Sequence, residues 1–242
     1  MTSLIGPDGA GKSILLTLLG RLTDPTSGTV PLDGADVHRA SSTEIVRKLA
    51  ALRQENHSTV RVTVRDLVAL GRFPHGRGRL TPEGVVHIDR ALDFLDLAGL
   101  SGRHLDQLSG GRRQRAHVAM VLAQDTDYVP LDEPLNNLGI KHGVRMTERL
   151  RAGADDLGKT VVLVVHDIDI AAGHPDRILA LRDGALAAHG TPAELMDPEI
   201  PSGIFDTPGR VHEVGRAAAG RPSPLRWPSA GHIGNTLYTS RR

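Results

Sequence analysis

The chain has 242 residues, 39% of them hydrophobic and 24% charged, with a formal net charge of +1 and no cysteine. That suffices for one large core, or a core plus a subdomain, and it excludes a disulfide framework or a thiolate metal site. The near-zero charge gives no global pull toward nucleic acid or an acidic membrane, and aromatics at 2% argue against stacking on bases. No apolar run approaches the ~18 residues of a membrane span, and the first residues have neither the basic stretch nor the apolar core of a secretory signal. The expectation is a soluble, cytosolic protein.

Met1 to Ile5 forms a short apolar stub before Gly6-Pro7-Asp8-Gly9-Ala10-Gly11-Lys12-Ser13. This stretch fits G-x-x-x-x-G-K-S/T, a phosphate-binding loop between a strand and a helix. Its glycines let successive backbone N–H groups point at phosphate oxygens, and the following helix adds the positive end of its dipole. Lys12 can reach the β- and γ-phosphates, and Ser13 can offer its hydroxyl to Mg²⁺. Ile14 to Leu22 reads as a buried helix, broken by Asp24-Pro25-Thr26-Ser27-Gly28. Thr29 to Leu32 is a short strand turning at Asp33-Gly34, with Pro31 marking an edge position. Thr43 to Leu52 has helical character, with Ile45, Leu49 and Leu52 on one face, and leads to Arg53-Gln54-Glu55-Asn56.

From Val62 to Ala123 the pattern is helical. Val64, Leu67, Val68 and Leu70 form one amphipathic segment and Val85 to Leu97 another, separated by a loop at Pro74 to Gly78. Leu108-Ser109-Gly110-Gly111-Arg112-Arg113-Gln114-Arg115 then opens an alanine-rich helix that runs to Ala123. Ser109, Gly110 and Gly111 make a second anion-binding constellation, a hydroxyl and free N–H groups at a dipole's positive end; a simple N-cap is the plainer alternative. Tyr128 to Leu131 is a short strand, Lys141 to Leu157 a helix, and Thr160 to Val165 a buried β-branched strand ending at His166-Asp167. A strand-turn-strand, Ile178 to Leu181 and Ala185 to Ala188 around Asp183-Gly184, closes the pattern. Strands alternating with helices imply an α/β fold with a mainly parallel sheet, interrupted by a helical subdomain inserted at about 54–123. The expected domain is 1–208, with 209–242, where Trp227 and Tyr238 stand isolated, as a flexible tail.

The remaining chemistry sits at strand ends. Asp132 ends an apolar strand, where an α/β sheet presents residues to ligand, and a strand beside the phosphate loop would hold it near Mg²⁺. Glu133 could accept a proton from an attacking water; a strand-ending Asp-Glu-Pro turn is the bland alternative. His166 would lie on the same sheet edge, able to touch a γ-phosphate and orient the water. Gln54 closes another apolar segment and could contact Mg²⁺ or that water. The other histidines are scattered, so no transition metal is assigned, and the sequon Asn56-His57-Ser58 carries no weight in a cytosolic chain.

With these residues in order, the chain resembles the ATP-binding subunits of ABC transporters, on a P-loop NTPase (RecA-like) core. Gly6 to Ser13 is similar to Walker A, Gln54 to the Q-loop, Leu108 to Gly111 to the signature, Tyr128 to Glu133 to Walker B with its catalytic glutamate, and His166 to the H-loop. The likeness runs from Ser3 to about Glu213. A narrower likeness is to the iron-siderophore importer branch, through Gln54-Glu55-Asn56-His57, Val64 to Val68, Gly71-Arg72-Phe73-Pro74, Ala123 to Tyr128 and Leu131 to Leu138.

The resemblance implies an ATPase using ATP and Mg²⁺ that dimerises head to tail. Each ATP would lie between one copy's Walker A and the other's Ser109-Gly110-Gly111. Mg²⁺ would be held by Ser13, Gln54 and Asp132, with Glu133 as base, His166 orienting and Lys12 stabilising the γ-phosphate. The implied partners are integral-membrane permease subunits, a second copy and, indirectly, a substrate-binding protein, with no nucleic acid. The implied location is cytoplasmic, on the inner face of the plasma membrane through the permease. The chain departs from the pattern at Asp8 (usually Asn), which puts a carboxylate near phosphate, at Arg112 (usually Gln), at Gly139 (usually Asp) and at Pro130 inside a strand. It is also expected to lack the family's N-terminal β-region. These departures keep two alternatives in view. One is a truncated or degenerate subunit with little turnover. The other is an ABC-type ATPase acting on nucleic acid or ribosomes, which the charge and the branch likeness disfavour.

Overall fold

A computed structural model describes residues 1–54, 61–76, 78–195, 197 and 199–206. β1 (Thr2–Ile5) feeds the glycine-rich loop and α1 (Lys12–Leu19); the hairpin β2 (Pro31–Leu32) and β3 (Ala35–Asp36) follows, then α2 (Ser42–Lys48). A helical block comes next: α3 (Val64–Leu70), the single turn α4 (Phe73–Gly76), α5 (Pro82–Phe94) and α6 (Gly110–Ala123). The rest alternates: β4 (Tyr128–Asp132), α7 (Ile140–Leu157), β5 (Thr160–Val164), α8 (Ile168–Gly173), β6 (Arg177–Arg182) and β7 (Ala185–Gly190). Two short helices, α9 (Pro192–Leu195) and α10 (Glu199–Phe205), end the described chain.

The main sheet has the order β4-β5-β1-β6-β7. β4, β5, β1 and β6 run parallel and β7 is antiparallel to β6. The β-branched and leucine-rich strands are there because helices cover the sheet: Leu4, Leu131, Leu163, Val164 and Ile178 are fully buried. With β1 between β5 and β6, the carboxyl ends of β1, β4 and β5 share one edge. The segments starting at Gly6, Glu133 and Val165 leave from that edge, which is where parallel α/β sheets expose functional groups.

Helix starts follow local rules. Ser41 caps α2, Thr63 and Asp66 form a capping box on α3, and Thr81 caps α5 with Pro82 in its first turn. In the helical block Leu67, Val68, Ile88, Leu92, Ala116 and Ala119 are buried in one core. A Cβ added to Gly71 would lie 2.0 Å from the Met120 carbonyl oxygen, so only glycine lets the end of α3 run against α6.

Several elements differ from expectation. The loop expected at Pro74 to Gly78 holds the single turn α4, and the helix expected over Val85 to Leu97 starts earlier, at Pro82 after the Thr81 cap, and ends at Phe94. The helix expected to be buried over Ile14 to Leu22 stops at Leu19, because Gly20 closes it, and Ile14 is 66% exposed; only its Leu16 side reaches the core. The helix expected over Thr43 to Leu52 stops at Lys48, and Leu49 turns extended at φ −132°. Ala50 N then donates to Tyr128 O (3.0 Å), Leu52 N to Pro130 O (2.9 Å) and Asp132 N to Leu52 O (3.0 Å). Pairing with β4 outweighs a modest helical propensity. The N–H and C=O of a strand residue share one side, so the donor Pro130 lacks is missing toward this segment and not toward β5. Among the described residues no helix is long and apolar enough to cross a membrane. The sequon at Asn56 and the tail from Gly209 lie outside the described residues.

Candidate functional site: the phosphate loop and the carboxylates at the strand ends

The loop after β1 depends on its glycines. Gly6, Gly9 and Gly11 take φ of 148°, 81° and 91°, values that strain residues with a Cβ. At Gly6 a Cβ would also fall 2.2 Å from Leu181 O. The bonds Ala10 N to Pro7 O (3.2 Å) and Gly184 N to Ala10 O (3.3 Å) fix the curl. Lys12 is buried, and its Nζ donates to the carbonyls of Gly6 (2.8 Å) and Pro7 (2.9 Å), so the ammonium is held inside the loop. Gly11 caps α1 and the first turn of that helix carries no acid, which keeps its positive end uncompensated.

Folding brings Ser13 to Asp132 across 119 residues: Ser13 Oγ donates to Asp132 Oδ1 at 3.2 Å. Asp132 is only 2% exposed. Burial pushes its carboxyl above the ordinary range; the Ser13 hydrogen bond opposes this and the neighbouring Glu133 charge adds to it. Glu133 follows at φ 48°, a left-handed backbone that turns its side chain out of the strand rhythm and into the site. Gln54 Nε2 donates to Glu133 Oε2 at 2.8 Å, Asn136 Nδ2 donates to the same oxygen, and His166 Nε2 lies 2.5 Å from Oε1. Lys12, Ser13, Gln54, Asp132, Glu133 and His166 therefore gather on one sheet edge.

Asp8, on the glycine-rich loop, has its carboxylate Oδ1 3.5 Å from His166 Nδ1. This pairing, the Asn136 contact and a bond from Gln114 Nε2 to Glu133 O (3.3 Å) were not readable from the sequence. The one local signal is the asparagine three residues beyond Glu133, in a turn closed by Asn136 N to Glu133 O (3.2 Å). A cavity of about 500 Å³ opens beside Glu133 and His166, walled by Leu135, Val144 and Ile170.

Ser109 occupies the N-cap of α6, and its side chain makes no capping bond. The adjoining glycines are required by packing. A Cβ on Gly111 would meet Asn137 O at 2.9 Å and Leu138 Cδ2 at 3.1 Å, and one on Gly110 would meet Asn137 Cβ at 3.3 Å. The start of α6 thus rests on the segment just after Glu133.

This geometry has known counterparts. The ABC transporter family model matches residues 1–136. A petrobactin import ATP-binding protein of Bacillus anthracis is 52% identical over 206 residues, covering 85% of this chain and 82% of that protein. One of Bacillus subtilis is 46% identical, with the same 85% and 82% covered. Among solved structures, a dimeric bacterial ABC transporter cassette superposes with a TM-score of 0.70 at 30% identity, covering 79% of this chain and 84% of that one. A P-loop NTPase fold, a phosphate loop facing two strand-end carboxylates, and relatives that align along most of their length converge on one conclusion: the chain belongs to the ABC transporter family.

Proposed function

We propose that this chain is the ATP-hydrolysing subunit of an importer for ferric siderophores, converting ATP and water to ADP and phosphate and coupling that to uptake through a separate permease. The observation that carries the ATPase reading is the juxtaposition of Ser13 with Asp132 at 3.2 Å, next to a Glu133 carboxylate gripped by Gln54 and His166. The siderophore cargo is supported by the petrobactin import named for both Bacillus relatives.

In this reading the loop Gly6-Pro7-Asp8-Gly9-Ala10-Gly11-Lys12-Ser13 cradles the phosphates with its backbone N–H groups, Pro7 having none to give, and Lys12 neutralises the γ-phosphate. Glu133 takes the proton of the attacking water as the bond to the leaving ADP breaks, and His166 holds the carboxylate and the water in line. Mg²⁺ fits the donor set: Ser13 hydroxyl, Asp132 carboxylate and Gln54 amide are all hard oxygen ligands, and the buried Asp132 faces the Ser13 hydroxyl. When bound, the ion would neutralise phosphate charge. Ser109, Gly110 and Gly111 would act on the nucleotide of a second copy in a head-to-tail dimer. The exposed Leu70, Phe73 and Leu80, on the loop and helices following Gln54, would meet the permease and hold the chain at the inner membrane face, with a substrate-binding protein feeding it from the far side. In the same reading the cassette spans 1–208, with its helical subdomain at about 54–123. Glu133→Gln should lower turnover at least about 100-fold while fluorescent-nucleotide titration still shows binding; undiminished hydrolysis would overturn the assignment.

A further inference from the structure

We infer that Asn136 is a positioning residue for the Glu133 carboxylate, selecting which of its oxygens receives the proton of water. The inference rests on the reading of Glu133 as the base. Glu133 is at the end of β4 with a left-handed backbone, outside any helix or strand that would fix its side chain. Two amides converge on one oxygen: Gln54 Nε2 at 2.8 Å and Asn136 Nδ2 both donate to Oε2. A carboxylate oxygen offers two in-plane lone pairs, so these two donors fill Oε2. Among the described residues Oε1 faces only His166 Nε2, and its remaining lone pair is the one with capacity for a water proton.

The two amides are not equivalent. Gln54 arrives from 79 residues away, on a segment joined to β4 by an incomplete ladder. Asn136 is built into the turn that carries Glu133, closed by its own N–H on Glu133 O at 3.2 Å. That turn is pinned from outside, because the carbonyl of Asn137, at φ 61°, sits where a Cβ on Gly111 would come to 2.9 Å. Gln114 of the same α6 donates to Glu133 O at 3.3 Å. Asn136 therefore holds the carboxylate to the start of α6 whatever the position of Gln54. Its residue is exposed, so its replacement should leave the fold intact.

The test is steady-state Mg-ATP hydrolysis by the full chain with Asn136→Leu, which keeps shape without a donor, Asn136→Gln, which keeps an amide on a longer arm, and Glu133→Gln in parallel. Asn136→Leu is expected to lower kcat about tenfold with KM for ATP within about twofold, the pattern of an interaction that matters in the transition state. Asn136→Gln should recover part of the loss, and in the Glu133→Gln background Asn136→Leu should have no further effect. Unchanged kcat in Asn136→Leu, or a rise in KM that accounts for the whole loss, would overturn the role of Asn136. Full turnover in Glu133→Gln would overturn the reading beneath it instead.

Discussion

Lys12 is buried with its ammonium already held by two carbonyls, at 2.8 and 2.9 Å, so the cation is fixed in place before any phosphate is considered. Lys12→Ala should weaken nucleotide binding by about 1.5–3 kcal/mol, the range for a hydrogen bond to a charged group, and a fluorescent-nucleotide titration would show this as a tenfold or larger rise in Kd. Asp132 pulls the other way on stability. Its carboxyl titrates above the ordinary range because it is buried, so the ionised form is disfavoured in the fold. That penalty is absent below the unfolded carboxylate pKa of about 3.9 and complete above the folded value. Asp132→Asn, which keeps an acceptor for Ser13, should raise Tm at pH 7, show no gain at pH 3.5, and lose turnover. The Asp8 carboxylate is 94% exposed and 3.5 Å from His166, so it contributes as a surface pair, ~0–1 kcal/mol. Asp8→Asn should alter turnover less than about fivefold.

At the level of elements, α3 and α6 are set against each other by the absence of one side chain. Gly71→Ala would drive a Cβ to 2.0 Å from Met120 O, backbone that cannot yield cheaply. A loss of about 3 kcal/mol is expected, readable in a urea titration, whereas Gly99→Ala, with nothing within 4 Å, should be near neutral. The start of β6 is tied to α7 by Arg151 Nη1 on Asp176 at 2.7 Å. The Arg151 guanidinium holds the Asp176 carboxyl down to about 2. A depressed carboxyl contributes stability that is present above its unfolded pKa and lost as pH falls through the folded one, here from about 4 down to about 2. Asp176 is 56% exposed, so the contribution stays below about 1 kcal/mol. Most elements were legible because their causes are local: the apolar spacing of Val64, Leu67 and Val68 in α3, the glycine-rich loop ahead of α1, the β-branched run of β5. The end of α2 was not, since what stops it at Lys48 is a hydrogen-bonding partner on β4, far along the chain.

The whole molecule places chemistry on one sheet edge and the start of α6 against the turn beside it. A composite site shared between two copies predicts hydrolysis that rises faster than linearly with protein concentration, approaching proportionality once dimers saturate; a dilution series of the purified chain checks it. Much of the site was readable in advance because a strand followed by charged residues, in a parallel sheet, must deliver them to the same rim. Asn136 escaped because its reach to the carboxylate depends on left-handed backbone at Glu133, which no spacing encodes, and the link from Asp8 to His166 escaped because it joins two segments far apart in the chain. The proline in β4 has its own consequence. It removes one rung between β4 and the strip of chain leading to Gln54, leaving the three bonds through Ala50, Leu52 and Asp132. A strip attached at fewer points peels more easily than the sheet beside it. The glutamine that grips the Glu133 carboxylate thus hangs on a tether that can yield while the rest of the rim stays put, and the amide hydrogens of Ala50 and Leu52 should exchange with solvent sooner than those of Val129 and Leu131.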